Sequence, residues 1–296
     1  MDDSPDPSRR SPWMLRRVIS YAHQGGAWEG PSSTLHAIRG ALAAGATGIE
    51  LDVHATSDGH LVVSHDPTVD RTTNGSGNFA DLTLAEVRTL DNAYWWVPGA
   101  DVSPGLEPDS YLFRGRAPDD PAFGVATLEE VLEEFPGVVL NLDIKQTSPM
   151  VEPYEEALAI MLKSFGRGDD VIVASFLDSA TDSFSSFAPD IPTSAGTMAV
   201  AAFFQAVRAG DDPLPMRHVA LQVPATYGEL TLVDERFVEV AHREGLAVHV
   251  WTIEEESEMQ RLCDLGVDGI ITDRPTALVG VLNARPEAWR PGTKEA

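Results

Sequence analysis

Residues 47–78 read TGIELDVHATSDGHLVVSHDPTVDRTTNGSGN, and they hold two carboxylates and a histidine in a spacing that could do chemistry. Glu50, Asp52 and His54 alternate with Ile49, Leu51 and Val53, so in a strand the three polar groups share one face and the three apolar groups the other. Acidic groups on the inner face of an apolar strand cost too much to desolvate unless a cation or a hydrogen-bond donor meets them. A bound ion would meet them. Alone, an ordinary salt-bridged layer is the commoner reason for such a pair. Ser57-Asp58-Gly59 is turn chemistry, after which Leu61, Val62 and Val63 deliver His65 back beside the end of the same strand.

The elements that must position these groups follow a rhythm. Apolar runs predict strands at 18–22, 48–55, 61–63, 138–144, 171–176, 193–196, 218–223, 247–252 and 269–272. Helical spacing predicts helices at 35–44, 84–90, 128–134, 152–165, 179–187, 200–209, 234–244, 255–265 and 276–282. Ser33 or Thr34 can cap the first of these, and Gly45 can stop it. With 61–63 set aside as a hairpin return, eight strand and helix units remain, the tally of a (β/α)8 TIM barrel. Residues 67–124, after the second strand, break the rhythm as a long insertion rich in Gly, Pro, Asp and aromatics, and a loop of that length is usually functional. The domain is expected over 18–283, with a disordered tail at 1–17 and a second tail at 284–296. In such barrels chemistry sits at the C-terminal ends of strands. His23, Glu50, Asp52, Asp143, Lys145 and Trp251 all fall on that rim.

The 296 residues carry a formal charge of −25, which argues against binding nucleic acid or an anionic membrane surface but not against a small anionic substrate. The one cysteine, Cys263, excludes an intrachain disulfide and fits a reducing compartment. No apolar run is long enough to span a membrane, and the first seventeen residues lack the apolar core of a secretory signal. The cytoplasm is the expected location.

In its ordered motifs the chain resembles the glycerophosphodiester phosphodiesterase family. His23-Gln24-Gly25, Pro31-Ser32-Ser33-Thr34, Glu50-Leu51-Asp52-Val53, His65-Asp66-Pro67-Thr68 with Arg71-Thr72-Thr73-Asn74-Gly75, Trp251-Thr252 and the stretch from Gly266 to Pro275 follow the family order. The resemblance implies a metal-dependent hydrolase that splits glycerophosphodiesters into sn-glycerol 3-phosphate and an alcohol. It implies His23 and His65 as general acid and base, and Glu50, Asp52 and Asp143 as ligands of Mg²⁺ or Ca²⁺. It also implies Gln24 and Lys145 at the phosphate and Trp251 as an aromatic wall. Oxygen ligands suit a hard cation, and two imidazoles suit proton transfer near neutral pH.

Three positions depart from the family pattern. Gln24 stands for an arginine, Ser32 for a glutamate, and Asp143 for a glutamate one methylene longer. The first two remove one cation and one anion together, so local charge is unchanged. An alternative activity is that of lysophospholipase D and sphingomyelinase D relatives, which cleave phospholipids through a cyclic phosphate. The polar insertion and the lack of an apolar stretch for docking on a membrane favour small soluble diesters. His54 and His249, which face the barrel, read as structural or at most adjacent to the site. Asp66 and Arg71 read as braces for the loop after His65.

Overall fold

A computed structural model describes residues 12–15 and 18–285, and it is a TIM barrel. Its main sheet comprises β1 (Ile19–His23), β2 (Gly48–Ala55), β3 (Leu61–Val63), β4 (Val139–Ile144), β5 (Val171–Ala174), β6 (Ala220–Pro224), β7 (Ala247–Trp251) and β8 (Gly269–Thr272). The parallel strands run in the order β5-β4-β2-β1-β8-β7-β6, and β3 pairs antiparallel with β2. Between β5 and β6 the sheet is closed by the segment predicted as a strand at 193–196. Only Thr193 and Ser194 bridge there, to Val173 and Ala220. Pro192 has no N–H to add to a ladder, and Gly196 already caps the next helix, so this stave is two residues long.

The helices wrap the barrel much as their periodicity predicts, because caps fix their ends. Thr34 Oγ1 accepts from Ala37 N at 3.1 Å, and Gly45 closes the helix Leu35–Ala44 in the left-handed region at φ 102°. Thr127 and Glu130 form a reciprocal capping box before Leu128–Glu134. Two apolar clusters cement helices to sheet, one around Leu51, Leu142 and Val173, the other around Leu221, Val248 and Ile270. Every one of these side chains points outward from the barrel wall, as strand alternation requires.

The barrel's lower interior holds Tyr21, His249, Ile172 and Ile271. Tyr21 needs room: a Cβ on Gly48 would lie 2.7 Å from its ring, which is why this inward position has no side chain. Of the tail expected to be disordered, Pro12–Leu15 is a helical turn whose Trp13 packs edge-on to His249 at 6.5 Å. Burying one indole against the barrel floor orders that turn. Residues 1–11, 16–17 and 286–296 lie outside the described residues.

The insertion at 67–124 contains only short helical turns, at Phe79–Asp81, Leu84–Val87, Pro108–Ser110 and Pro121–Phe123. The helix predicted at 84–90 stops after one turn. Trp96 is buried and donates its indole N–H to Ala27 O at 2.8 Å, which ties the insertion to the loop after β1. Arg114 is held over the rings of Tyr94, Trp95 and Tyr111 at 4.2, 4.6 and 3.5 Å. The insertion is a packed wall beside the barrel mouth.

Candidate active site

His23 closes β1 and passes into a turn that only small or left-handed residues can make. Gln24, Gly25 and Gly26 take φ of 52°, 83° and 93°. A Cβ on Gly26 would sit 2.8 Å from Pro275 Cγ, so glycine lets this turn press against the loop after β8. Trp28 N donates to Asp273 O at 3.2 Å across the same contact. The consequence is a hydrogen bond between His23 Nδ1 and Asp273 Oδ1 at 2.6 Å.

Glu50 faces the other edge of the imidazole, its Oε2 3.8 Å from His23 Nε2. Gln24 N donates to that same carboxylate oxygen at 3.2 Å. Burial would pull the His23 pKa down, but the hydrogen bond to Asp273 and the charges of Glu50, Asp273 and Asp52 outweigh it and raise the group to about 9. The Gln24 side chain, expected at the phosphate, is instead buried with its amide 3.2 Å from His23 Nε2. An imidazolium fits when the amide presents Oε1, an oxygen with no other partner, to that ring N–H.

His65 follows β3 and approaches His23, with ring centroids 6.1 Å apart and planes at 80°. Its Nδ1 meets Asp66 Oδ1 at 2.8 Å. Asp66 in turn accepts from Arg71 Nε at 2.6 Å, and Arg71 Nη1 reaches Asp101. Hydrogen bonding to His65 first, then to Arg71 against the opposing cost of burial, holds the Asp66 carboxyl down at about 2. Asp66 and Arg71, read from the sequence as braces for the loop after His65, hold the His65 ring itself.

The carboxylates come together through register. β2 and β4 pair Asp52 with Asp143, and β1 pairs His23 with Glu50. Lys145 Nζ lies 2.8 Å from Asp52 Oδ1 and 3.0 Å from Asp143 Oδ2. Burial and the neighbouring Asp52 carboxylate push the Glu50 pKa well up, and burial does the same to Asp143. Burial would lower Lys145, but Asp52, Asp143 and Glu50 raise it further than burial lowers it. Among the described residues, no three His, Cys, Asp or Glu side chains close on one point as a finished metal cage. The donor chemistry nevertheless fits a hard divalent cation. Asp52 Oδ2 and Asp143 Oδ1 are buried oxygens that accept no hydrogen bond, and a carboxylate oxygen left so is an unfilled ligand.

Trp251 ends β7 and meets Phe176, which follows β5, edge to face at 5.5 Å. Lys145 Nζ lies 5.7 Å from the Phe176 centroid. The candidate residues read from the sequence thus lie on one rim, with Gln24 buried against His23 Nε2. His54 stacks on Phe79 of the insertion at 5.8 Å and brings its Nε2 within 3.5 Å of His65 O, at the edge of the cluster, whereas His249 lies deeper beside Tyr21 and Trp13. The structure adds Asp273 and Phe176 to the candidates. Asp273 lies in the motif from Gly266 to Pro275, which is its signal in the sequence. Glu254 accepts from Asp273 N at 3.0 Å and from Thr272 Oγ1 at 3.2 Å, so it steadies the Asp273 loop.

Comparison with known proteins places the chain in a family. Residues 23–277 match the Glycerophosphoryl diester phosphodiesterase family. The chain is 31% identical over 268 residues to a glycerophosphodiester phosphodiesterase of Caldanaerobacter subterraneus, covering 90% of this chain and 98% of that one. Among solved structures, it is similar to a glycerophosphoryl diester phosphodiesterase domain of Mycobacterium tuberculosis, at TM-score 0.73 and 19% identity over 91% of this chain and 99% of that one. A phosphodiesterase of Oleispira antarctica, solved with its product sn-glycerol-3-phosphate, superposes at TM-score 0.65 and 20% identity, covering 92% and 98%.

Proposed function

Since the chain belongs to the glycerophosphoryl diester phosphodiesterase family, we propose that it hydrolyses glycerophosphodiesters to sn-glycerol 3-phosphate and an alcohol by two-histidine acid and base catalysis. The observation that carries this reading is the approach of His23 to His65 at 6.1 Å, each braced by its own carboxylate, above a buried carboxylate cluster. A tetrahedral phosphorus between two such rings would have its entering and leaving oxygens each within reach of one imidazole.

The surroundings support one division of roles. His23 lies between Asp273 and Glu50, so it keeps its second proton and can hand one to the leaving alkoxide as the P–O bond breaks. His65, held at Nδ1 by Asp66 and through it by Arg71, takes a proton at Nε2 from water as that oxygen bonds phosphorus. Gln24 orients His23, and Lys145, paired with Asp52 and Asp143, would offer its charge to a phosphate oxygen. Trp251 walls the glycerol.

Glu50, Asp52 and Asp143 are the residues that would hold a divalent cation, Mg²⁺ or Ca²⁺, in keeping with the divalent-cation dependence general to the family. Such an ion would supply charge neutralisation for the phosphoryl oxygens. The catalytic domain spans 18–283, and the single buried Cys263 fits a reducing, cytoplasmic setting. No described helix is long and apolar enough to cross a membrane.

The test is release of glycerol 3-phosphate from a panel of headgroup diesters, measured with Mg²⁺, with Ca²⁺ and with chelator. Release from none of the diesters under any of these conditions would refute the reading.

A further inference from the structure

The two imidazoles at the mouth are held in different ways. The His23 ring is enclosed between Asp273 and Glu50, with 18% of its side chain exposed. His65 stands on a loop with 41% of its side chain exposed, and Asp66, which meets its Nδ1 at 2.8 Å, is the next residue of that same loop. A half-exposed ring tied only to its chain neighbour is not yet fixed, because the two side chains can swing together. Any such swing would carry Nε2 away from the reacting phosphorus. The hold has to come from outside the loop.

It comes through Arg71. Its Nε donates to Asp66 Oδ2 at 2.6 Å, and its Nη1 donates to Asp101 Oδ2. A guanidinium is a rigid planar fork on a long, flexible stem, so one contact leaves it free to turn and two set its plane. Arg71 lies five residues from Asp66, whereas Asp101 lies 30 residues further on. The segment that carries Asp101 is fastened on both sides. Gly99 N donates to Trp28 O at 2.8 Å, Ser103 N to Trp95 O at 3.0 Å, and Trp96 Nε1 to Ala27 O at 2.8 Å. Ala27 and Trp28 belong to the loop that begins at His23, and the Trp28 N–H meets Asp273 O at 3.2 Å. The brace of His65 therefore ends on the same loop that carries His23.

We infer that Asp101 is a positioning residue for the reaction: through Arg71 and Asp66 it sets the His65 ring at a fixed reach from His23. The insertion is then part of what places the two imidazoles, beyond walling the mouth. The inference rests on the phosphodiesterase reading above. No motif marks Asp101, which follows Pro98-Gly99-Ala100 in a stretch where aspartate is common, and its partner is set only when the insertion folds back on the barrel. Asp66, Arg71 and Asp101 alternate in sign, so loss of Asp101 leaves Arg71 with one anionic partner here and an arm released.

The test is a double-variant cycle on glycerophosphocholine hydrolysis by the full chain, with Asp101→Ala and His65→Ala made singly and together. Asp101→Ala should lower kcat by about 10- to 100-fold at unchanged KM, the cost of a catalytic group misplaced by ~1 Å. In the His65→Ala background the same change should cost no more than about twofold, since no imidazole remains for the brace to position. Asp101→Glu should recover most of the lost kcat. Its carboxylate still pairs with Arg71, and the cavity of about 480 Å³ lined by Arg71, Trp95 and Asp101 has room for one more methylene. If Asp101→Ala does not fold, the nearly isosteric Asp101→Asn carries the same comparison. An equal loss in both backgrounds overturns the inference, because Asp101 would then act on the fold and not through His65. An unchanged kcat also overturns it, as does a loss confined to KM, which would put Arg71 and Asp101 on the substrate. Each of these results leaves the phosphodiesterase reading standing. No hydrolysis by the unaltered chain removes both.

Discussion

His23 and Asp273 are 250 positions apart in sequence, yet Nδ1 and Oδ1 lie 2.6 Å from one another. The strand neighbours β1 and β8 make this possible, and the Gly26 contact with Pro275 sets the distance. A carboxylate on the back of an imidazole fixes its tautomer and favours its charged form.

Asp273→Asn should therefore act through His23. The variant keeps the shape but loses the charge that helps raise the His23 pKa to about 9. The alkaline limb of the kcat/KM profile should move down from near 9 toward the ordinary 6.5, with turnover at pH 8 reduced by about 10- to 100-fold. An alkaline limb that stays in place would make Asp273 merely structural.

Removing either imidazole gives a different readout. His23→Ala or His65→Ala should each cut turnover by about 10²- to 10⁴-fold, with little change in melting temperature. The two rings serve one phosphorus, so the double variant should be scarcely slower than the worse single one. Losses that multiply fully in the double variant would mean the histidines act in separate steps.

The barrel and most of the site are legible in the sequence because both follow local rules. Alternation puts Glu50 and Asp52 on one face, and the start of each strand and helix can be read from caps and glycines. Asp273 has a motif but no evident partner, since its role comes from the closing of β8 on β1. The family arginine suggests a phosphate contact for Gln24; its left-handed turn and its amide 3.2 Å from His23 Nε2 come from the packing of the loop after β1 and have no local signal in the sequence. Trp13 reads as part of a tail because a single aromatic has no periodicity; only the cavity beneath Tyr21 and His249 gives it a place.

Lys145 lies against Asp52 and Asp143 with most of its side chain buried. Lys145→Met should therefore leave two buried carboxylates without a cation, a loss of about 3 kcal/mol in chelator. If Glu50, Asp52 and Asp143 hold a divalent ion, Mg²⁺ or Ca²⁺ should restore most of that stability, since ligand binding to the folded state adds its own free energy. Urea unfolding with and without each metal measures this. An identical loss in both conditions would argue that no ion binds these carboxylates.

His249 is fully buried in the barrel beside Tyr21, Trp13 and Gln222. Burial lowers its pKa to about 4, with the charge of Asp268 opposing only in part. The folded state therefore resists a proton that the unfolded chain accepts at about 6.5. Folded stability is unaffected by this group above about 6.5 and falls as pH drops from there toward about 4, by up to about 1.4 kcal/mol per pH unit and on the order of 3 kcal/mol in all. His249→Leu removes the titrating group and should flatten that part of the stability curve, while Gln222 keeps both its hydrogen bonds to Asn141. Urea midpoints from about pH 7 to about pH 4 would measure the slope. An unchanged slope in the variant would place the acid sensitivity elsewhere in the molecule.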